Sequence, residues 1–412
     1  MLLLLLYGGT LPPGRKKSVE LTGESSSSED FTTDLIAALN KDQGHRVAYN
    51  LASEQSPTHV KRWVSTGSRQ LDYIISNKRN GGLPEGRIIE MFGPPSIGKS
   101  HIATQIARST QRMGGIVVYI DTENATNPEN LAALGVDVAK RFVYVDTHCT
   151  EEVFDIAEKT ILKAKAMQKD APITIIWDSV AASSPKAELE GDYDKDTIGL
   201  QARVLSKGMR KITGVIGDQN VLFVCLNQIR SKIGVLYGDP SVTPGGNAIP
   251  FHASVRIKLG AGSQIENDKK EIVGINVSAK AVKNKVAPPF RSCNFQIHFG
   301  KGIVEHEELF DVLREHGEET IKDHRVCVSG MQAWKLFEVV RQDGTKVIEK
   351  KFYKNDFGEL LANKECKPWL DDLIEKAMVK QAVKPEDIEI DPDSYEDIRS
   401  VAMALGNDIL PE

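Results

Sequence analysis

The sequence has few cysteines and no long apolar segment. Its five cysteines are spread over 412 residues without a C-x-x-C pair, which disfavours both a zinc site and a disulfide framework. The apolar residues 1–7 are far fewer than the roughly 20 of a membrane span. They also lack a preceding basic region and a cleavage site, so we expect no export signal and no membrane partner. A reducing, cytoplasmic setting fits best.

A strong net charge is also absent. The formal net charge is −5 at pH 7, so no global field attracts nucleic acid, and any such binding must come from local basic clusters. A content of 26% charged and 41% hydrophobic residues is ordinary for a globular protein and excludes disorder of the whole chain. The length allows a large core and at least one smaller domain.

The two ends of the chain differ in composition from the rest. Residues 1–30 carry glycine, proline and a run of serines that cannot bury enough apolar surface, which predicts a disordered tail. Residues 384–412 are rich in acids and are predicted to form a solvated tail. Within residues 31–61, Thr33 is a capping residue ahead of helically spaced apolar side chains. It predicts a short amphipathic helix that packs on a neighbour.

The middle of the chain has an alternating pattern. From residue 62 to 300, apolar strand-like runs alternate with helical segments, and the last three runs follow one another without a helix. This pattern predicts an α/β fold with a mainly parallel twisted sheet, helices on both faces and closing antiparallel strands. Residues 301–383 are predicted to form a small α+β domain in which residues 346–353 are the only β-like stretch.

A phosphate-binding loop follows the first apolar run. It consists of Gly93, Pro94, Pro95, Ser96, Ile97, Gly98, Lys99 and Ser100. In the pattern G-x-x-x-x-G-K-[ST], backbone N–H groups surround phosphate oxygens, the lysine reaches the β and γ oxygens, and the hydroxyl serves Mg²⁺. The helix that begins at the loop adds its positive N-terminal end. We therefore expect ATP or a close relative as ligand.

Three later strands are predicted to end in polar side chains at the ligand edge of the sheet. Glu123 is placed to activate a water molecule for attack on the γ-phosphate. Asp178 is expected to hold Mg²⁺ together with Ser100. Gln228 could sense the γ-phosphate and pass its state to the following loop. A helix-capping or loop acid remains the alternative for Glu123, and strand-end capping for Asp178.

Two loops and one basic helix could follow a nucleic-acid backbone. Residues 186–199 and 229–247 form long loops, which are usually functional inside a compact domain. The basic and glycine residues of this region are Arg203, Lys207, Arg210, Lys211, Arg230, Lys232, Gly245 and Gly246. Basic side chains and open backbone amides can bind phosphates. The residues alone leave open a solvated helix face and a lid over the nucleotide.

The order of several further motifs resembles that of the bacterial RecA recombinases. The motifs lie at residues 65–68, 82–87, 178–182, 185–191, 227–235, 245–248, 251–256 and 283–285. The resemblance covers roughly residues 62–300 and is weaker beyond. It implies a RecA-like P-loop ATPase core between a short N-terminal helical segment and a small α+β C-terminal domain.

The resemblance implies an ATP-dependent recombinase of a bacterial or phage-infected cell. Such a protein forms a helical filament on single-stranded DNA and pairs it with homologous duplex. The DNA contacts are then assigned to Ile198, Arg203, Ser206, Arg210, Arg230, Ile233, Gly245, Gly246 and Asn247. By the same likeness, the two isoleucines wedge between base triplets, which costs stacking energy but stretches the strand.

The resemblance also implies contacts between subunits. Lys283 and Lys285 alternate along a strand and, by themselves, look like the solvated charges of an edge strand. In the family they act on the ATP of the neighbouring subunit, as an arginine finger does, so hydrolysis would require assembly. Phe251 matches an interface residue, and the segment with Leu35 and Leu39 resembles a helix that docks on the next subunit. Single-strand-binding and loader proteins remain open as further partners.

The sequence departs from the family pattern at a few positions. Asn130 stands where relatives place a tyrosine against adenine, and Pro250 where they often have a lysine, so base discrimination and coupling between subunits could differ. A hexameric helicase or clock-type ATPase shares the expected fold, and a regulatory paralogue binds DNA without strand exchange. The Pro185–Gly191 and Gly245–Ala248 patterns disfavour a helicase. Because Glu123 and Lys99 are both present, a paralogue is also disfavoured.

Overall fold

The computed structural model describes residues 28–53, 56–192, 199–231, 241–330 and 333–380. The chain divides into two compact units, residues 1–59 and 60–412. The predicted acidic tail and residues 1–27 of the predicted N-terminal tail lie outside the described residues, as do Ile198 and Ile233.

The helices and strands are numbered in chain order. The helices are α1 (Ser28–Gln43), α2 (Arg69–Ser76), α3 (Lys99–Arg112), α4 (Pro128–Ala133), α5 (Thr150–Met167), α6 (Lys186–Leu189), α7 (Leu200–Asp218), α8 (Ala248–His252), α9 (His306–His316), α10 (Phe357–Ala362) and α11 (Lys367–Met378). The strands are β1 (Trp63–Val64), β2 (Leu83–Pro84), β3 (Ile88–Gly93), β4 (Ile116–Asp121), β5 (Phe142–Asp146), β6 (Ile173–Asp178), β7 (Val221–Gln228), β8 (Arg230–Ser231), β9 (Ser241–Val242), β10 (Val255–Glu266), β11 (Ile272–Asn284), β12 (Ser292–His298), β13 (Gly302–Val304), β14 (Glu318–Ile321), β15 (His324–Ser329), β16 (Lys335–Arg341) and β17 (Lys346–Phe352).

The central sheet of the described chain has nine strands. Their order is β13-β12-β11-β10-β3-β7-β6-β4-β5. The six strands from β10 to β5 are parallel, whereas β11, β12 and β13 extend the sheet in antiparallel fashion. The predicted mainly parallel sheet with closing antiparallel strands is therefore confirmed. The carboxyl ends of β3, β4, β6 and β7 lie together at one edge, because parallel strands run in the same direction.

Both faces of this sheet are buried. Along β7, Leu222 and Val224 belong to one hydrophobic cluster and Phe223 to the other, because successive side chains point to opposite faces. Helix α3 packs in the first cluster through residues such as Ile102, and α5 and α7 pack in the second. Burial on two faces explains why these strands are apolar throughout instead of alternating.

The described part of residues 1–59 is dominated by α1. This helix begins at Ser28, five residues before the predicted cap Thr33, and thus includes the last residues of the predicted tail 1–30. Phe31, Leu35 and Leu39 are exposed by 64%, 47% and 45%. Their spacing of four residues places them on one face of the helix. The helix thus presents an apolar stripe.

The C-terminal region contains more β structure than expected. A four-stranded antiparallel sheet, β14-β15-β16-β17, is surrounded by α9, α10 and α11, so the prediction of a single strand at residues 346–353 was wrong. The middle strands β15 and β16 are the most buried, and Phe310, Phe352 and Phe357 pack against one another. The first hydrophobic cluster of the central sheet continues into this region.

Two features of the described residues bear on the expected setting. All five cysteines are free and buried. None of the described helices combines the length and the apolar character needed to cross a membrane.

Candidate nucleotide-binding and catalytic site

The phosphate loop joins β3 to α3. Gly98 is the N-cap of α3 and has a φ of +90°, a conformation that favours glycine, and a Cβ at this position would collide with Ile297. No described side chain caps α3, so the first N–H groups of the helix remain available to an anion. A helix N-terminus with free N–H groups suits a phosphate. The loop geometry therefore fits the expected nucleotide.

The amino group of Lys99 is held by the loop itself. Its Nζ donates hydrogen bonds to the carbonyl oxygens of Gly93 (3.2 Å) and Pro94 (2.6 Å). Burial lowers the pKa of Lys99, and the carboxylates of Asp178 and Glu123 oppose this shift only in part. Oxygens of a phosphate are stronger acceptors than carbonyl oxygens, because a charge-assisted hydrogen bond is stronger than a neutral one. Lys99 is thus placed to exchange its carbonyl partners for a triphosphate.

The expected magnesium ligands meet at the ends of α3 and β6. Oγ of Ser100 donates a hydrogen bond of 2.7 Å to Oδ2 of Asp178, and the hydroxyl of Tyr119 donates a second bond of 2.7 Å to the same oxygen. Burial raises the pKa of Asp178, while these two hydrogen bonds lower it. Mg²⁺ prefers oxygen ligands and retains several water molecules, so a hydroxyl and a carboxylate in contact fit the ion. Tyr119 was not singled out from the sequence.

Glu123 lies directly after β4, beside the ends of β6 and β7. Its Oε1 accepts a hydrogen bond from Oγ of Ser179 and another of 3.0 Å from Nε2 of Gln228. The structure therefore brings the expected base and the expected γ-phosphate sensor into direct contact. The alternative of a helix cap for Glu123 finds no support, because the N-cap of the following helix α4 is Asn127.

Two neighbours of Glu123 hold this edge together and were not assigned a role from the sequence. The hydroxyl of Thr122 accepts from the N–H of Ser179 (2.8 Å) and donates to its carbonyl (2.6 Å). The carboxylate of Asp121 accepts from the N–H groups of Glu123 and Thr126, each at 2.9 Å. Burial alone would raise the pKa of Asp121, but its hydrogen bonds hold the pKa below the usual value. These contacts fix the direction of Glu123.

A cavity of about 210 Å³ opens beside the expected magnesium ligands. It is lined by Ser100, Glu123 and Asp178 on one side and by Thr126, Asn130 and Leu134 on the other. Asn130 thus lines the cavity beside the expected magnesium ligands, and its contact with a nucleotide base stays a prediction. An asparagine side chain offers hydrogen bonds but no aromatic ring for stacking, so the contact to a base must differ from that of a tyrosine.

A buried polar network crosses the sheet behind the loop. Glu90 in β3 is fully buried, and it accepts hydrogen bonds from Nε of Arg256 (2.5 Å) and Nδ2 of Asn227 (3.0 Å). The side-chain oxygen Oδ1 of Asn227 in turn accepts from the N–H of Gln228 at 3.0 Å. This network connects the sensor strand β7 to β10 through β3. The sequence signal for this network is Glu90, a single acid inside the otherwise apolar strand β3.

Strand β11 lies between β10 and β12, but its pairing with β12 ends at Lys280, so Lys283 pairs with β10 alone. The interpretation as a solvated charge was wrong for Lys283, which is half-buried and bonded to backbone carbonyls, whereas Lys285 follows the end of the strand and is exposed. Lys283 pairs in register with Arg256, which pairs with Glu90 three residues before the phosphate loop. With strands about 4.8 Å apart and a rise of about 3.3 Å per residue, Lys283 lies more than about 10 Å from the phosphate loop of its own chain.

The amino group of Lys283 instead contacts the end of α8. Its Nζ donates hydrogen bonds to the carbonyls of Pro250 (2.6 Å) and Phe251 (3.1 Å). The side chain of Phe251 is 72% exposed, which is unusual for an aromatic residue in a short helix on a compact core. Burial lowers the pKa of Lys283, and the positive charges of Lys285 and Arg256 lower it further. The three residues 250, 251 and 283 form one surface feature.

The expected DNA-contacting residues cluster around the start of α7. Arg203, Arg210 and Arg230 are exposed, and a groove of about 420 Å³ is lined by Gly199, Gln201, Arg230 and Gly245. The described residues expected to contact DNA are Arg203, Ser206 and Arg210 on α7, Arg230 on β8, and Gly245, Gly246 and Asn247 directly before α8. Ile198 and Ile233 lie outside the described range. Lys211 instead forms an ion pair with Glu158, as a solvated helix face would.

The second loop is better ordered at its base than expected. Strands β8 and β9 pair within residues 229–247, so the prediction of a loop without packed structure was wrong at residues 230–231 and 241–242. Gly245 has a φ of +90°, and a Cβ there would collide with Leu205 of α7. A glycine is therefore required where this loop crosses α7.

Comparisons with known proteins point to one family. The family described as the RecA N-terminal domain matches residues 30–304. Curated relatives named "Protein RecA" include those of Ruminococcus albus (43% identical over 255 residues), Chlorobium limicola (39% over 282) and Symbiobacterium thermophilum (36% over 306). The aligned part covers 62%, 68% and 74% of this chain and 61%, 77% and 80% of the respective relatives.

Proposed function

Because the chain belongs to the RecA family, we propose that it is an ATP-dependent DNA recombinase that pairs homologous strands in recombination and repair. The observation that carries the proposal is the contact between Glu123 and Gln228 at the edge of the phosphate loop. It joins a carboxylate suited to hydrolysis to an amide at the start of the loop that is expected to bind DNA. A motor or a passive binder has no need of the accompanying loop motifs.

The hydrolytic step would use residues of one edge of the sheet. The loop of residues 93–100 binds the phosphates, with Lys99 on the β and γ oxygens. Ser100 and Asp178 hold Mg²⁺, which supplies charge neutralisation to the phosphates when it is bound. Glu123 accepts a proton from the attacking water, and Thr122 and Asp121 keep its carboxylate in place.

The coupling between nucleotide and DNA would run through Gln228. In the structure its side-chain amide donates to Glu123. A γ-phosphate near Lys99 offers a charged acceptor for the same amide, so Gln228 would turn towards it. Since Gln228 is the last residue of β7 and β8 begins at Arg230, such a turn changes the start of the DNA loop.

Assembly into a filament would complete the site. Lys283 is too far from the phosphate loop of its own chain but lies on the surface with the exposed Phe251. We infer that Lys283 and Lys285 reach the nucleotide of an adjacent copy, where they stabilise charge on the transferred phosphoryl group. The exposed stripe of Phe31, Leu35 and Leu39 on α1 would bind the next copy through apolar contacts.

DNA would bind along α7 and the two loops. The basic side chains Arg203, Arg210 and Arg230 supply the phosphate contacts, and the glycines at 245 and 246 let the backbone approach the strand. Single-stranded DNA is the first partner and homologous duplex the second. The action is expected in the cytoplasm of a bacterial or phage-infected cell.

A joint-molecule assay with homologous and heterologous duplex, each with and without ATP, tests the recombinase directly. Joint molecules that need both homology and ATP are expected. Unwinding without homology would identify a motor instead. DNA binding without any joint molecules would identify a passive binder.

The nucleotide site is tested separately by Lys99→Ala. Removal of the amino group should abolish binding of a fluorescent ATP analogue. Among the described cations, only Lys99 has its amino group inside the phosphate loop, bonded to the carbonyls of Gly93 and Pro94. Lys269→Ala, in the exposed turn between β10 and β11, is the matched control. Unchanged affinity of Lys99→Ala would contradict the assignment of the loop.

A further inference from the structure

A second cavity lies away from the nucleotide site, among α2, α3 and α11. Its volume is about 640 Å³, which is within the range of small-molecule sites. The charged side chains around it are mostly basic, with seven lysines and arginines against the two carboxylates of Asp72 and Asp371. None of the residues assigned above to ATP, DNA or subunit contact lines it.

Six of the seven cations of this cavity fall into two groups, and the seventh, Lys78, lies over the ring of Trp63. On the α11 side, Arg69, Arg79 and Lys367 all form ion pairs with Asp371. On the α3 side, Arg108, Arg112 and Lys301 have no carboxylate within ion-pair distance in the part of the chain that the structure describes. The first group maintains the contact between α2 and α11. The second group has no such structural role.

The two arginines of α3 repel each other. Arg108 and Arg112 are four residues apart, so their side chains lie on the same face of the helix one turn apart. Burial and the positive charge of Arg112 both lower the pKa of Arg108. Like charges at this spacing destabilise a helix unless an anion lies between them. The arrangement is unfavourable in the free protein.

A buried hydroxyl also lacks a partner here. Tyr73 of α2 lines the cavity and is only 3% exposed, yet its hydroxyl makes no hydrogen bond with any described residue. The hydroxyl oxygen has almost no accessible surface, so a ligand in the cavity cannot reach it. Tyr73 therefore forms part of the cavity wall, and the donors that face a ligand are those of Arg108, Arg112 and Lys301.

We propose that this cavity binds a small ligand with a chain of phosphate groups, contacted by Arg108, Arg112 and Lys301. More than one phosphate is required, because three unpaired cations exceed the charge of a single one. Guanidinium groups bind phosphate through paired hydrogen bonds, which favours arginine for this role. The proposal concerns a site apart from the P-loop and does not depend on recombinase activity.

Titration with inorganic tripolyphosphate tests the proposal. The full chain is first saturated with a non-hydrolysable ATP analogue and Mg²⁺, so that the P-loop is filled, and binding is followed by calorimetry. One further equivalent of tripolyphosphate should bind. Arg108→Ser and Arg112→Ser should each weaken this binding by about tenfold or more, as expected for the loss of a charged hydrogen bond. Arg341→Ser, at an exposed site on β16, should change it less than about twofold.

Tyr73→Phe is a control for packing beside the cavity. Removal of an unpartnered hydroxyl should leave the thermal midpoint of the free protein unchanged or raise it. The same variant should bind tripolyphosphate as the wild type does, because the hydroxyl has almost no accessible surface. A loss of binding as large as that of Arg112→Ser would show that the arginine variants act through packing and would overturn the site.

Three other outcomes would overturn the proposal. The first is no binding beyond the analogue. The second is an equal loss in Arg341→Ser and Arg112→Ser, which would indicate a general effect of net charge. The third is displacement of tripolyphosphate by a single-stranded oligonucleotide, which would make the cavity part of the DNA-binding surface.

Discussion

Nε2 of Gln228 donates a hydrogen bond of 3.0 Å to Oε1 of Glu123, across the ends of β7 and β4. These residues are 105 positions apart in the chain, and the order of strands in the sheet brings them together. The contact occupies the carboxylate of the expected base with the amide of the expected sensor. Two of the predictions below concern its two partners.

Glu123→Gln should abolish ATP hydrolysis and retain DNA filaments that form with ATP. The amide keeps the shape of the side chain and can still accept from Gln228, but it cannot take a proton from water. The rate should fall by roughly 10²–10⁴, the usual contribution of a general base. Phosphate release gives the rate, and sedimentation with DNA gives assembly. Glu266→Gln, at an exposed position, is the control, and normal hydrolysis by Glu123→Gln would remove Glu123 as the base.

Gln228→Ala should retain ATP binding but lose the effect of ATP on DNA affinity. Without the amide, residue 228 has no donor that can leave Glu123 and bind a phosphate oxygen instead. The measurement is the dissociation constant of a labelled single strand with and without a non-hydrolysable ATP analogue, in the variant and in the wild type. Gln264→Ala, exposed on β10, serves as control. If the analogue still strengthens DNA binding in Gln228→Ala, the coupling lies elsewhere.

Arg256→Ala should destabilise the protein by about 3–5 kcal/mol, because it leaves the buried carboxylate of Glu90 without its charged partner. Urea denaturation followed by circular dichroism measures the change. The double variant Glu90→Gln and Arg256→Gln removes both charges and should recover much of the loss. A single variant that loses less than about 1 kcal/mol would show that Asn227 alone satisfies Glu90.

The stability of the protein should depend on the ionisation of Asp72. Burial raises the pKa of Asp72 to about 7 in the folded state, although hydrogen bonds from Ser65 and Thr66 oppose the shift. Since the folded pKa is above the unfolded value near 3.8, the folded state binds the proton more tightly. The contribution of this bound proton to the free energy of unfolding is complete below about pH 4 and is lost as the pH rises to about 7.

Asp72→Asn tests this expectation because an amide does not titrate in that range. Between pH 4 and pH 7, the free energy of unfolding of the wild type should fall relative to that of the variant. Urea midpoints at several pH values provide the comparison. Parallel pH profiles for the two proteins would show that Asp72 does not change its ionisation in this range.

The sequence predicted which residues lie together at one edge of the sheet wherever a short pattern has a single structural outcome. The phosphate loop follows an apolar strand, and the polar residues after β4, β6 and β7 must lie at the same edge once the strands are parallel. Asp178, Glu123 and Gln228 were found for this reason. The continuous apolar runs of β6 and β7 were equally informative, since only strands buried on both faces carry them.

Other features depend on contacts between distant segments and could not be predicted in this way. The partners of Glu90 lie 137 and 166 positions along the chain, so only the strand order reveals them. Strands β14 to β16 were missed because each is short and half-exposed, with charged residues on its outer side. The interpretation of Lys283 failed for a related reason, because local charge cannot show that its amino group bonds to the carbonyls of Pro250 and Phe251, more than 30 positions earlier in the chain.

The exposed stripe on α1 has a consequence for how assemblies of this protein end. If the stripe of one copy binds a different surface of the next, every added copy presents a fresh stripe, and no ring closes unless the rotation between copies allows it. Such a series has no preferred length. The average number of copies then follows from total concentration and temperature, so dilution should shorten the population gradually instead of splitting it at one size.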